Sequence, residues 1–352
     1  MKLDTTKPIK GVSYNGAALQ IAGRNTLTVN APAGSTVTAT NGSETKTATE
    51  NSGVWVFKGL EAGTWTITAT LGSYKQTYTR EFVDEMTIDV TYVSATLNDN
   101  AWSVIGEISA AGQAESWWSV GDIKYETLSG TWGLLNVSGL TVGVYIIGFN
   151  HNSGKEGTNR IHFKFGKIDG VQVAFCDSNY NSSGSGTMFH MNSSNSNSGG
   201  WKNSYMRVTL LGNDAGPSSP LAGSLMACIS AELRAVLKAT TKYSDNTGGS
   251  SNTSSYVTAT TDYFWLLAEF EIFGTRSYAN SAEQSNQAQY QYYKAGNAKI
   301  HYRHDARTTA VNVWLRSVYA SNPTAFCIVN TSGAAYYTAA NHSLGCAPAF
   351  AA

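Results

Sequence analysis

From Thr26 onward, apolar and polar positions alternate: Leu27 and Val29, then Val37 and Ala39, then Val54, Val56 and Phe57, then Trp65, Ile67 and Ala69. A period of two sends successive side chains to opposite faces of a strand, so these stretches predict short, half-buried strands. Turn residues separate them, with Pro32 and Gly34, Ser52 and Gly53, and Gly63 at the breaks. Tyr74 and Tyr78 precede a last strand carrying Met86, Ile88, Val90 and Tyr92. Seven short strands in about seventy residues predict a β-sandwich over residues 25–94. Residues 1–24 are mixed in pattern, with Val12, Tyr14, Ala17, Ala18 and Leu19 as their apolar members. They read either as an arm that packs on another component or as an unordered terminus.

Near Ala95 the period changes, and a second domain is expected over residues 95–352. Asn98 or Asp99 can cap a helix that bears Trp102, Ile105, Ile108 and Ala111 on one face. Strands follow around Leu134 and over residues 144–149, 161–165 and 171–175. Residues 177–200 form a Ser/Asn/Gly-rich stretch with too little apolar surface to join a core, which predicts a long surface loop. Trp201 opens an expected helix through Tyr205, Met206 and Leu210, and residues 225–237 read as a second one with Met226, Ile229, Leu233, Val236 and Leu237 on one side. Residues 244–255 read as another polar loop. Residues 261–273 have the near-continuous apolar content of a buried segment, with Glu269 and Glu271 as exceptions, and residues 282–293 read as a Gln-rich helix presenting Tyr290, Tyr292 and Tyr293. The fold class is therefore mostly β, with an α+β second domain.

Composition narrows the function. Charged residues make up only 14% of the chain, and Lys+Arg equals Asp+Glu at 24 each. Such a chain projects no long-range field toward phosphate backbones or anionic lipids, so neither nucleic acid nor membrane insertion is expected. Lys2, Lys7 and Lys10 are not followed by an apolar run of seven or more, so no secretory signal is expected and synthesis is placed in a bacterial cytoplasm.

Catalytic and metal chemistry finds little support. Cys176, Cys228, Cys327 and Cys346 match neither a C-x-x-C zinc site nor a dense disulfide framework and read mostly as buried thiols. A disulfide between Cys327 and Cys346 is the alternative for that pair. Calcium-dependent sugar binding needs convergent carboxylates, whereas Asp214, Asp245 and Asp262 are scattered and read as turn formers. His301 and His304 would suit a metal on a helix but point to opposite faces of a strand, so a solvated turn is expected there; His151 and His162 each stand alone. Glu269 and Glu271 read as one buried, hydrogen-bonded carboxylate and one exposed, with Glu269 anchoring Arg316 or Arg276 in the core. No catalytic residue, metal ligand or cofactor is assigned, and an enzyme is not expected.

Two resemblances sharpen this reading. Residues 28–37, with Pro32 and Gly34, and residues 59–67, with Gly63 and Trp65, resemble Ig-like surface-layer and carboxypeptidase-regulatory-like β-sandwich modules. Residues 313–317 carry the order Val, Trp, Leu, Arg, Ser; Phe326, Val329 and Gly333 follow, and Pro348 and Phe350 stand near the end. This ending is similar to that of C-type-lectin-like domains of prophages and gut bacterial surface proteins, related in fold to formylglycine-generating enzymes. Matches at Gly200, Trp201 and Arg207, over residues 231–238, and at Thr261, Asp262, Tyr263 and Glu269 extend it across most of the second domain. Cys346 and Ala347 depart from the pattern, which has Val and Arg there.

The resemblance reaches the variable proteins of diversity-generating retroelements, which display a rewritten C-terminal region on this fold. It implies that Trp314, Arg316, Phe326, Val329, Gly333 and Pro348 are scaffold. The display positions would be Tyr319, Asn322, Thr324, Ile328, Asn330, Tyr336, Tyr337, Thr338, Asn341, His342 and Leu344. The residue types agree, because Tyr offers rigid amphipathic surface while Asn, Ser and Thr offer adaptable hydrogen bonds. The implied protein is a phage-type receptor-binding or adhesive protein on a virion surface. Its ligand would be a host-surface protein or glycan, its N-terminal region would hold a virion or tail component, and a homo-oligomer is compatible with it. A structural virion decoration protein is the alternative, ahead of a metal-dependent lectin or an oxidase on the same fold.

Overall fold

The computed structural model describes residues 25–352 except 73, 185 and 187, together with the backbone pair Ser13–Tyr14 and Ala17–Ala18. The arm expected at residues 1–24 otherwise lies outside the described residues. The fold is mostly β, and the chain divides into compact units at Met1–Val93 and Ser94–Ala352.

In the first unit, one sheet has the order Glu85–Asp89, Thr26–Asn30, Val54–Lys58, Glu50–Asn51, and the other Thr45–Thr47, Thr36–Thr40, Gly63–Leu71, Tyr74–Phe82. Leu27, Val29, Val37, Ala39, Trp65, Ile67 and Ala69 point into one shared core, as a period of two requires. The strand Val54–Lys58 buries Trp55 and Phe57 and leaves Val56 40% exposed, the reverse of the expected register at Val54 and Val56. One face of a strand must be chosen whole, and two aromatic rings bury more apolar area than two valines.

The second unit is built on a sheet with the order Ile123–Thr127, Thr141–Phe149, Ile161–Ile168, Val171–Ala174, His301–Arg303, Ala310–Val311. The strand Ala349–Ala351 pairs with both Ile161–Ile168 and Phe264–Trp265, which brings Phe350 onto Phe163 with ring centroids 5.2 Å apart. Trp102, on the helix Trp102–Ala110, meets Phe163 edge-on at 5.5 Å. That helix packs on Ala231–Val236, and Gly106 permits the approach: a Cβ there would stand 2.9 Å from the Val236 side chain. The helix starts later than its expected cap. Leu97–Asp99 forms a 3-10 turn instead, and Asn100 ties its side chain back to the backbone of Ser94, Thr96 and Leu97.

Several expected helices are broken. Residues 225–237 contain Leu225–Cys228 and Ala231–Val236, interrupted where Ile229 turns extended and the Ser230 hydroxyl caps the second piece by accepting the Leu233 N–H. After Trp201 the chain makes turns and then a single π-helical stretch, Met206–Leu210. Residues 282–293 yield only Ser281–Glu283 and Gln291–Lys294, and Tyr290, Tyr292 and Tyr293 are buried rather than presented.

The Ser/Asn-rich stretch from residue 177 to 200 is also more than a surface loop. Phe189, His190, Met191 and Asn197 are fully buried within it. Its backbone is laced to the C-terminal segment, with Asn181 N–H on the Ser343 carbonyl at 2.7 Å, Leu344 N–H on Phe189 at 3.0 Å and Met191 N–H on Ala340 at 3.0 Å. A few apolar anchors and a backbone partner order a run that its composition alone would leave unpaired. Gly200 closes the stretch at φ +54, where a Cβ would meet the Asp245 carbonyl oxygen at 2.0 Å.

Candidate binding face

The second unit's C-terminal sheet has three antiparallel strands, Val313–Val318, Ala325–Val329 and Ala335–Ala339. The first two are fully buried, because their apolar runs are packed on both faces, whereas the edge strand Ala335–Ala339 stays accessible. This placement removes two expected display positions: Ile328, in the middle strand, and Leu344, whose N–H is held by Phe189, are each 1% exposed and belong to the core.

Three display positions come together. Tyr319, Tyr336 and Tyr337 gather around Tyr278, which was not foreseen. The Tyr319 and Tyr337 ring centroids are 4.2 Å apart, Tyr336 and Tyr337 stack at 4.9 Å and 17°, and Tyr278 lies 5.1 Å from Tyr337 and 5.4 Å from Tyr319. Tyr336 remains 48% exposed. The result is a tyrosine cluster open to solvent on an edge strand and two adjoining turns.

The remaining positions are half-buried and mostly occupied with local structure. The Asn322 side-chain Oδ1 accepts the Thr324 N–H and hydroxyl at 2.8 and 2.7 Å, and Asn330 Oδ1 accepts from Ser332 and Ala334. Both are therefore turn formers first. Thr338 pairs across the sheet with Phe326, while Asn341 and His342 lie against Gly184 and Ser183 of the polar loop.

Beneath the cluster lies a charged core. Arg316, fully buried, spends its five donors on the Ser244 hydroxyl, the Leu266 and Tyr243 carbonyls and both oxygens of Glu271. The expected Glu269–Arg316 pair is thus replaced by Glu271–Arg316, and neither glutamate is exposed. Glu269 instead accepts the backbone N–H groups of Ser277, Tyr278 and Ala279. A carboxylate gathering consecutive N–H groups fixes a turn as a metal would, and here the turn is the one that carries Tyr278. Burial alone would raise the Glu271 carboxyl, but the Arg316 guanidinium and the Lys242 ammonium outweigh it and hold it well below the usual carboxylate range.

His151 and His162 do not stand alone. Their ring centroids are 5.5 Å apart, and His151 stacks on Tyr290 at 3.6 Å. His151, Glu156 and Glu271 bring ligand atoms within 4.8 Å of one another, the spacing of a cation site. Its cation is part of the chain: Lys242 Nζ lies 2.8 Å from Glu156 and 2.9 Å from Glu271. Burial and then the Lys242 charge lower His151 to about 3, and burial raises Glu156 to about 7 despite Lys242. His301 and His304 are likewise buried, on the strand His301–Arg303 and just beyond it, rather than in a solvated turn.

The motif residues that the sequence scatters do meet. Asp262 is fully buried and accepts Trp201 Nε1 at 2.8 Å and Arg207 Nε at 2.6 Å, so it is an anchor rather than a turn former. Asp245 is buried as well, yet its side chain does cap a turn at Thr247 and Gly248. Trp314 and Phe326 pack edge-on in the core, and the Pro348 carbonyl accepts the Phe165 N–H. The four cysteines are free and buried; Cys327 Sγ faces the Val318 carbonyl, and Cys346 Sγ lies 3.7 Å from Met206 Sδ.

Residues 183–351 match a family described as Domain of unknown function (DUF6273). The matched stretch holds most of the polar loop, the Asp262 anchor, the Arg316–Glu271 pair and all four tyrosines. Comparison with curated proteins and with solved structures gives no match. Among the described residues, no helix is long and apolar enough to cross a membrane.

Proposed function

We propose that the chain is a receptor-binding or adhesive protein of phage type, whose second unit is a C-type-lectin-like domain that engages its ligand through the tyrosine cluster. The observation that carries this reading is the grouping of Tyr278, Tyr319, Tyr336 and Tyr337 at the surface, two of them on one edge strand. Clustered tyrosines offer a broad, half-polar contact area that costs little side-chain entropy to fix, as binding hot spots require. They stand on a rigid base, since Glu269 pins the Tyr278 turn and the Ala320 N–H binds the Tyr278 carbonyl at 3.0 Å. A catalytic reading has less support. The groups with chemistry to offer, His151, Glu156, Lys242 and Glu271, are each no more than 5% exposed, and Lys242 already pairs with both glutamates.

The test is adhesion of the fluorescently labelled chain to a panel of bacterial cells. Binding should fall by about tenfold or more in a Tyr336→Ser, Tyr337→Ser double variant whose melting temperature is unchanged. Equal binding by that variant would overturn the assignment of the face, and a chain that adheres to no cell would favour the structural decoration protein. Retroelement diversification is tested apart, by sequencing the locus across a population. Adenine-directed substitutions in the codons of residues 314–346, beside a near-copy template and a reverse transcriptase, would support it, and a fixed segment would end it.

A further inference from the structure

We infer that the second unit carries another binding site, apart from the tyrosine cluster: a cleft beside the Ser/Asn-rich loop that takes a short, uncharged saccharide. The cleft has a volume of about 380 Å³, within the range of small-ligand sites, and its lining includes Asn192, Ser194, Ser198, Asn203, Tyr205 and Thr209. No ionised side chain lines it, so a phosphate, sulfate or carboxylate would find no counter-charge there.

The walls are built rather than incidental. Tyr205 stacks on His190 with centroids 4.8 Å apart at 28°, and His190 is fully buried. Asn192 fixes the rim by accepting the Tyr205 N–H at 3.3 Å and donating to the Ser196 carbonyl at 2.6 Å. Among the described residues, the hydroxyls of Ser194, Ser198, Tyr205 and Thr209 and the amide of Asn203 have no protein partner. One propped aromatic ring amid unspent hydroxyl and amide groups suits a sugar, whose C–H face packs on a ring while its hydroxyls both donate and accept. A peptide is a poorer occupant, because the lining offers only Val208 and the Tyr205 ring to an apolar side chain.

The test is a printed array of neutral, sialylated and sulfated oligosaccharides probed with the full chain, followed by calorimetry on the strongest neutral binder. Signal is expected on neutral glycans only. Tyr205→Ala should weaken it by about tenfold and Tyr205→Phe far less. Asn203→Ala, at an exposed position that leaves the core untouched, should weaken it by a smaller factor, and Tyr336→Ala should leave it unchanged. An array blank for neutral glycans, signal confined to charged ones, or full affinity in both Tyr205→Ala and Asn203→Ala would overturn the proposal. Loss in Tyr336→Ala alone would move the glycan to the tyrosine cluster. Cell adhesion that survives Tyr205→Ala would leave the tyrosine face standing whatever the array shows.

Discussion

Glu269 holds Tyr278 by its backbone: the Tyr278 N–H lies 3.2 and 3.0 Å from the two carboxylate oxygens, with the Ser277 and Ala279 N–H groups at 2.8 and 2.7 Å on either side. Glu269 is fully buried, and its own N–H reaches the Ser317 hydroxyl, which donates to Glu283. The tyrosine cluster therefore hangs on a core carboxylate.

Glu269→Gln should expose this dependence. One oxygen becomes an NH₂ group facing backbone donors, which leaves one or more buried N–H groups unpaired. Stability should drop by about 2–3 kcal/mol in chemical denaturation. The Tyr278 ring resonances should shift away from those of Tyr319 and Tyr337 by NMR. An unchanged denaturation midpoint would show that the turn holds without its carboxylate.

The Arg316–Glu271 pair should be strongly non-additive. Removing one member of a buried pair costs about 3–5 kcal/mol, since the other is left uncompensated. Glu271→Gln should be the worse single change, because it leaves Arg316 without a carboxylate and takes one of its two from Lys242, whereas Arg316→Met leaves Lys242 beside Glu271. In a double-mutant cycle the combined variant should lose well under the sum of the singles. Additive losses would mean that the two side chains act independently.

Acid should unfold the second unit in two stages. Burial, with the Lys242 charge behind it, lowers His151 to about 3, while burial is also the main cause that takes His162 and His301 well below the usual histidine range. These groups stay neutral in the fold but protonate near pH 6.5 in the unfolded chain, so the stability they carry is present above that pH and lost as pH falls. Burial raises Glu156 and Glu283 to about 7, and their contribution runs the other way, full below about 4.5 and lost as pH rises to 7. Between pH 6.5 and 4.5 the two glutamates offset part of what the histidines lose as pH falls, so stability should decline gently. Below about 4.5 the glutamates no longer compensate, and Glu271, held ionised in the fold by Arg316 and Lys242 but protonated in the unfolded chain, adds to the loss, so the decline should steepen until His151 protonates in the fold near 3. Denaturation midpoints measured against pH should show this break; a constant slope from 6.5 downward would contradict it.

Much of the fold was legible in local pattern. The period of two over residues 26–90 marked the sandwich strands, because a half-buried strand writes its exposure directly into the sequence. It misled at Val54 and Val56, where both faces carry apolar residues and only packing chooses between them. In the second unit the long helical readings failed because Ile229 turns extended and Ser230 caps, and because the tyrosines near residue 290 are needed in the core. The binding face was legible in part. Tyr319, Tyr336 and Tyr337 were marked by the resemblance with residue type in agreement, while Ile328 and Leu344 were misplaced because a resemblance aligns positions without revealing which side of a strand they face.

The sequence by itself determined the mostly β character, the change of period near Ala95, the absence of net charge and the tyrosine-rich ending, all of which are properties of neighbouring residues. Only the tertiary structure decided that Tyr278 joins Tyr337 from 59 positions away, that Arg316 chooses Glu271 over Glu269, and that Lys242 fills the space between Glu156 and Glu271. Those choices depend on which segments the fold brings within a few ångströms, and on the cost of leaving a charge or an N–H group unpaired once water is gone. Spacing along the chain carries neither.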